Sequence, residues 1–475
     1  MSFFIYDISF LIAFTLAVII FLYARRHNLQ RQGLLYLYRT KIGLKLIEYT
    51  SKKYKKILLP MQYLIIISGY ILMIATVWFI VKFAWFYITS PFMAKELKVP
   101  VLMPLIPYLP SIFKLDFLPP FPFTYWIIII ALIAVPHEFA HGIFARLNKI
   151  RVKATGFGFL GPFLAAFVEP DEKKMEKSKK FSQLSILASG TFANLITTLV
   201  LLLIFWAFFA SAFAPAGVNF NMYAIENVNL SDISSINHTA FNYTSSLSSL
   251  LTNISLVTIT TNNKTFFAPE ELLKTAKEEN YTGVQAFSDT SVFNSAMAGS
   301  IISIDEKEIK SIEDLRAVLE SHKPGDIVKV TTSYSESESD YTPEIREYTL
   351  ALSENNGKAF LGIGNQLPQS SGLYGWFYYI ILEKIRNPLI YYESSIGTFG
   401  WFIYHLLWWS ILISFSVALV NMMPLSIFDG GRFFYLTIWA ITKKENIAKK
   451  TFAFSTWFIL ILISLMMAKW VLAFL

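Results

Sequence analysis

The chain contains no cysteine among its 475 residues, which excludes disulfides, thiolate metal sites and cysteine nucleophiles and leaves any metal to imidazole and carboxylate ligands. It is also poor in charge: Asp, Glu, Lys and Arg make up 16%, where a soluble chain carries about 25%. Histidine is scarce, at six, so two in close spacing stand out. Hydrophobic residues supply 54% of the chain and aromatic residues 16%, and the mean hydropathy is +0.48, values that exclude an ordinary cytosolic enzyme.

The apolar residues lie in runs at about 3–24, 57–89, 124–147, 182–213, 396–423 and 451–475, each long enough at about 1.5 Å per residue to cross a hydrocarbon core of about 30 Å. The runs predict about six membrane spans. The first lacks a basic start and is followed by Arg25 and Arg26, so it reads as a retained anchor. Residues 25–56 hold ten Lys/Arg against one acid, Glu48, and basic residues recur from Lys173 to Lys180 and from Lys443 to Lys450. Cytoplasmic loops carry such an excess. Alternating from span to span puts all three basic stretches inside and the N-terminus outside.

The long insert at 215–372 then falls outside. It carries ten Lys/Arg against twenty Asp/Glu, a net −10 that leaves +18 on the remainder of a chain of net +8. Six N-x-Ser/Thr sequons, at Asn229, Asn237, Asn242, Asn253, Asn263 and Asn280, occupy its first half, as an exposed surface allows and as an Asn/Ser/Thr-rich loop also generates by chance. Residues 215–282 read as polar, whereas 283–366 turn to short Val/Ile-rich stretches around a helix expected at Ile312 to Ser321. The run from Asn294 to Val330, with Ser303-Ile304-Asp305, Lys323-Pro324-Gly325-Asp326 and the closing Leu361-Gly362-Ile363-Gly364, resembles a PDZ domain. That fold captures peptide ends by strand addition. Its usual Gly-Leu-x-x-Gly-Asp segment is shortened here to Ala298-Gly299-Ser300-Ile301. Residues 373–395 mix aromatics with Glu383, Lys384 and Arg386, and read either as a stretch on the outer membrane surface or as a broken extra pair of helices.

Chemistry is concentrated in the third run, where Val135-Pro136-His137-Glu138-Phe139-Ala140-His141-Gly142 sets H-E-x-x-H in an apolar helix. The i, i+4 spacing puts both imidazoles on one face, able to bind one Zn²⁺, with Glu138 positioned to take a proton from water. Ionisable side chains in a span are expensive, so three within five residues need a shared partner such as a metal. Satisfied buried histidines are the plainer alternative.

A catalytic zinc takes three protein ligands, so a third must come from elsewhere. Asp429 is the choice: it follows the helix-breaking Pro424 in Asn421-Met422-Met423-Pro424-Leu425-Ser426-Ile427-Phe428-Asp429-Gly430-Gly431 and stands in an otherwise apolar stretch. Helix capping by the same carboxylate would not compete with ligation. Rivals are Glu169, which resembles part of a solvated turn, and His405, early in its span. In the fourth span, Gly190 and Asn194 frame a small-residue segment that permits close helix approach. Asn194 and Asn421 are candidates to hydrogen-bond a substrate carbonyl or its oxyanion, with an interhelical hydrogen bond the alternative for each.

H-E-x-x-H in one span, Gly-x-x-x-Asn (Gly190 to Asn194) in the next, and Asn-x-x-Pro followed by Asp-Gly-Gly (Asn421, Pro424, Asp429) in a third together resemble the site-2 protease family of intramembrane zinc metalloproteases. The PDZ-like insert between the second and third matches too. The resemblance covers about 124–213 and 283–442. It implies a three-helix catalytic core, one zinc on His137, His141 and Asp429, and Glu138 as general base. It also implies a membrane-associated β-hairpin after the catalytic helix, for which Gly156 to Phe163 is suited, and whose edge would accept substrate as an added strand. In this family Asn and Pro usually lie closer to the Asp-Gly pair or a Leu precedes the Asp, whereas here Leu425 to Phe428 intervene.

The expected architecture is a polytopic α-helical membrane protein of about six spans with an extracytoplasmic α+β PDZ-like domain. Residues 1–123 form an N-terminal two-span region, 124–213 the first part of the catalytic core, 214–282 a polar insert, 283–367 the PDZ-like domain, and 368–475 the second part of the core with a C-terminal span. The expected activity is zinc-dependent cleavage in or near transmembrane segments of membrane-protein substrates, as in regulated intramembrane proteolysis. The expected location is the cell membrane, with residues 214–372 extracytoplasmic and the active site toward the cytoplasmic side. Expected partners are those substrates and the lipid bilayer, with no nucleic acid. Alternatives are a non-proteolytic metal-binding transporter or assembly factor, and a prenyl-protein-type membrane metallopeptidase, which would call for a glutamate as third ligand.

Overall fold

The computed structural model describes residues 3–33, 35–89, 105–112, 118–160, 163–237, 239–240, 256–261, 264–279, 281–335, 343–365 and 385–472. The chain divides into two compact units, Met1–Phe205 with Phe402–Leu475, and Trp206–Trp401.

The first unit begins with helix α1 (Phe3–Ala24), which has no polar face and whose one charged residue is Asp7, the mark of a helix that lies in a bilayer or a buried core. The basic segment that follows folds into strands β1 (Leu29–Gln32) and β2 (Leu35–Thr40) and then α2 (Leu44–Lys53), whose Ile47 is fully buried. Helices α3 (Lys55–Thr89) and α4 (Phe123–Leu147) come next, then strands β3 (Val152–Leu160) and β4 (Phe163–Pro170), and α5 (Lys180–Ala212). The expected hairpin is thus present as β3 and β4, with Gly161 and Pro162 outside the described residues. It is wider than the sequence suggested: β1 and β2 join it in an antiparallel sheet of order β1-β2-β3-β4. Arg39 of β2 reaches across β3 to Glu169 of β4 at 2.7 Å.

In the second unit, residues 225–288 form a six-stranded antiparallel sheet in the order Ile225–Asn229, Gly283–Ser288, Thr265–Pro269, Leu256–Thr261, Ile233–Ile236, Thr239–Ala240. Helix α6 (Glu270–Glu278) packs Leu273 and Ala276 into its core with Ile236, Val257, Ile259 and Val284. A region that reads as polar in sequence therefore has its own hydrophobic centre. Its strands are short and alternate inward apolar with outward polar residues, which hides them in the average. Asn229 is exposed at a strand end and Asn237 half-buried, while the other four sequon asparagines lie outside the described residues.

A second sheet runs Glu344–Ala351, Ile327–Tyr334, Ser300–Ile304, Phe213–Val218, Ile390–Ser394, with Lys307–Glu308 paired to Ser300–Ile304. Helix α7 (Ile312–Glu320) starts at Ser311 and Asp314, which hydrogen-bond each other's backbone in a capping box. Residues 390–394 correct the expectation for 373–395. They are a β-strand, neither a surface stretch nor a helix, because Ile390 and Tyr392 alternate into the sheet core and the backbone pairs with Phe213–Val218; 373–384 lie outside the described residues.

The chain re-enters the first unit along α8 (Thr398–Asn421), then α9 (Asp429–Thr442) and α10 (Glu445–Leu472). Among the described residues six helices, α1, α3, α4, α5, α8 and α10, are long and apolar enough to cross a bilayer. One shared core joins Ile65 and Leu72 of α3, Phe144 of α4, Leu187, Ala188 and Phe192 of α5, Ala418 of α8 and Phe433 of α9. Polar ties cross it where lipid offers no alternative partner: Asn148, after α4, donates to Gln62 Oε1 at 2.9 Å, Ser185 donates to the same oxygen at 3.0 Å, and Thr76 donates to the Leu419 carbonyl at 2.9 Å.

Candidate metal centre

Helix α4 presents His137 and His141 one turn apart toward α9, whose first residue is Asp429. The Nε2 atoms lie 3.1 Å apart, and Asp429 Oδ2 is 3.4 Å from His137 Nε2 and 3.2 Å from His141 Nε2. Ligands at zinc's usual bond lengths of about 2.0–2.1 Å sit about 3.3 Å from one another in a tetrahedron. The triangle of donors therefore has the size that one zinc requires. Its donors are a borderline-soft imidazole pair and a carboxylate, the set of a hydrolytic zinc site.

Glycine makes the centre possible. A Cβ on Gly190 of α5 would lie 2.4 Å from His141 Nε2 and 2.6 Å from His137 Nε2, so any other residue would fill the place where the donors converge. The Asp-Gly-Gly sequence has a similar explanation. A Cβ on Gly430 would fall 2.2 Å from the Met422 carbonyl carbon, and one on Gly431 2.1 Å from the Leu425 carbonyl oxygen. The turn on either side of Pro424, at Met422 and Leu425, packs backbone on backbone against the start of α9 and so sets Asp429 in place. Phe428, not Asp429, is the N-cap residue of that helix. Asp429 stands in the first turn, where a carboxylate also meets the favourable end of the helix dipole.

The far nitrogens of both imidazoles are held by α5. His141 Nδ1 is 2.7 Å from the Ile186 carbonyl, to which it donates, and His137 Nδ1 is 3.1 Å from the Asn194 amide nitrogen. Glu138 follows His137 on α4, and its Oε2 accepts the backbone N–H of Val168 in β4 at 2.9 Å. Asn421 is the last residue of α8, before the turn to Asp429. Of the two rivals for the third ligand, Glu169 is paired with Arg39, and His405 is buried beside Tyr404; neither belongs to the His137, His141, Asp429 group.

One functional neighbour was missed in the sequence. Asp7, buried in α1, accepts the N–H of Phe123 and of Thr124 at 2.8 Å each, together with the hydroxyls of Thr124 and Tyr108. It therefore satisfies two of the free donors at the start of the H-E-x-x-H helix. The signal was available: a lone acid in an apolar run calls for a partner.

A protein with six helices, among its described residues, long and apolar enough to cross a bilayer, and with an aspartate brought up to the two histidines of an H-E-x-x-H helix, has the framework of a membrane metallopeptidase. The chain belongs to peptidase family M50, the site-2 protease family, whose model matches residues 125–465. It is 31% identical over 187 residues to an uncharacterized protein of Methanocaldococcus jannaschii, an overlap of 37% of this chain and 45% of that protein. The chain thus spans less than half the length of that relative.

Proposed function

We propose that this protein is an intramembrane zinc endopeptidase that hydrolyses peptide bonds in or near transmembrane segments of membrane-protein substrates. The observation that carries this reading is the set of three donors 3.1–3.4 Å apart in an apolar bundle, on and opposite the helix that bears Glu138. His137, His141 and Asp429 would hold one zinc, which supplies Lewis acidity to carbonyl and water oxygens. Glu138 takes a proton from the attacking water and returns it to the leaving amine. Its hydrogen bond from Val168 keeps the carboxylate oriented for that work.

β4 is an edge strand, and its Val168 N–H turns toward Glu138. An extended substrate segment added at that edge would run past the base with its peptide bonds out of the helix that otherwise shields them. Asn421 is assigned to the substrate carbonyl. On this reading 124–213 and the helical part of 368–475, from Thr398 onward, are the two parts of the catalytic core, and 1–123 is an accessory region. The insert, with 214–282 and the PDZ-like 283–367, is extracytoplasmic by the charge rule, and the active site opens toward the cytoplasm.

The test pairs zinc content with cleavage of a single-span substrate lacking its ectodomain, for wild type and Glu138→Ala in detergent. The variant is expected to keep about one zinc per chain and to lose cleavage. Zinc binding with no cleavage by either protein would overturn the peptidase reading in favour of a metal-binding transporter or assembly factor.

A further inference from the structure

Asn194 is fully buried, at 0% exposure, and its amide faces Nδ1 of His137, the ring nitrogen that takes no part in the contacts with His141 and Asp429. Its Oδ1 has no hydrogen-bond partner among the described residues. A neutral imidazole carries one proton, so an Nε2 that binds metal requires the proton on Nδ1 and an acceptor to receive it. An amide provides that acceptor by a half-turn of its end, which exchanges Nδ2 and Oδ1. The neighbouring imidazole has the same arrangement already, with Nδ1 of His141 donating to the Ile186 carbonyl.

Resting on the zinc-site reading above, we propose that Asn194 is a positioning residue for His137: its side-chain carbonyl accepts a hydrogen bond from Nδ1–H and so commits Nε2 to the metal, and Asn194 does not contact substrate. The spacing on α5 supports this. Positions 186, 190 and 194 are four apart and share one helix face. The first and last hold the outer nitrogens of the two imidazoles, and the middle one, Gly190, leaves room for the rings. The Asn194 backbone is itself fixed, since its carbonyl accepts the hydroxyls of Thr198 and of Ser414 of α8, both at 2.9 Å.

The experiment measures zinc affinity of the full chain in detergent by competition with a chromogenic chelator, alongside cleavage and thermal melting of the zinc-free protein. Asn194→Ala is expected to weaken zinc about 10–100-fold, as loss of a partner to a ligating histidine does. Asn194→Asp, whose carboxylate still accepts from Nδ1, is expected to stay within about 3-fold of wild type. If Asn194→Ala holds zinc like wild type and loses only cleavage, Asn194 serves substrate or oxyanion and the proposal is overturned. If Asn194→Ala does not fold, Asn194→Asp decides, and a loss of more than about 10-fold in zinc affinity overturns it. Failure of the wild type to bind zinc would overturn the metal reading itself, and this inference with it.

Discussion

Val168 donates its backbone N–H to Glu138 Oε2 over 2.9 Å, which couples the outer edge of a β-sheet to the glutamate of the H-E-x-x-H helix. Val168→Pro removes that donor at an edge position where proline is tolerated. A hydrogen bond to a charged group contributes about 1.5–3 kcal/mol, so cleavage is expected to fall at least about 10-fold with zinc content unchanged. Val168→Ala keeps the N–H and should cleave like wild type. Equal losses in the two variants would show that the side chain, not the N–H, matters.

Gly190→Ala places a methyl group 2.4 Å from His141 Nε2. Helix backbones in a packed bundle do not yield by the ångström this demands. Zinc content is expected to fall below a tenth of wild type while the protein still elutes as a folded species in detergent, a pair of results that equilibrium dialysis and size-exclusion chromatography together would report. Full zinc occupancy in Gly190→Ala would mean that the rings have another position open to them.

Asp7→Ala leaves the buried N–H of Phe123 and the half-buried N–H of Thr124 without their acceptor. Each unpaired donor costs about 1–3 kcal/mol, so for the two a destabilisation of about 2–6 kcal/mol is expected. Thermal melting in detergent measures it. Asp7→Asn retains an acceptor and should recover part of the loss; if both variants melt with wild type, α1 is not fastened through this residue.

The donors of the metal centre belong to α4 and α9 and meet only in the folded chain. A ligand present at about a thousand times its Kd adds about 4 kcal/mol to the folded state. Chelation is therefore expected to lower the melting temperature of the wild type and to leave that of Asp429→Ala almost unmoved. A wild type whose melting is indifferent to zinc and to chelator would speak against a bound metal in the fold.

What could be read from the sequence was what depends on spacing along the chain. His137, Glu138 and His141 are set by helix periodicity, and Asp429 stood out as a carboxylate after a proline break in an apolar stretch. The helices long and apolar enough to cross a bilayer follow from run length alone. What escaped depends on partners far away in sequence. Asp7 finds its donors at Phe123 and Thr124, and β2 is a strand because β3 offers it an edge, to which β2 in turn adds β1, although their basic residues read as loop. Gly190 reads in the sequence as a small residue permitting close helix approach and as the head of Gly-x-x-x-Asn; only the bundle reveals that two imidazoles pass where its side chain would be. The sheet over 225–288 was diluted by outward polar residues, and its core appears only once strands that are remote in sequence are laid side by side.

In the ladder between Phe213–Val218 and Ile390–Ser394, Val218 and Ile390 are register partners, so their Cα atoms are within about 5.5 Å. Everything from 219 to 389 leaves and returns through that one gap. To the polymer on either side of the ladder, this whole stretch is topologically a hairpin loop. Its size can grow or shrink over evolutionary time without altering the distance the flanking strands must bridge, since the closure entropy rises only with the logarithm of loop length.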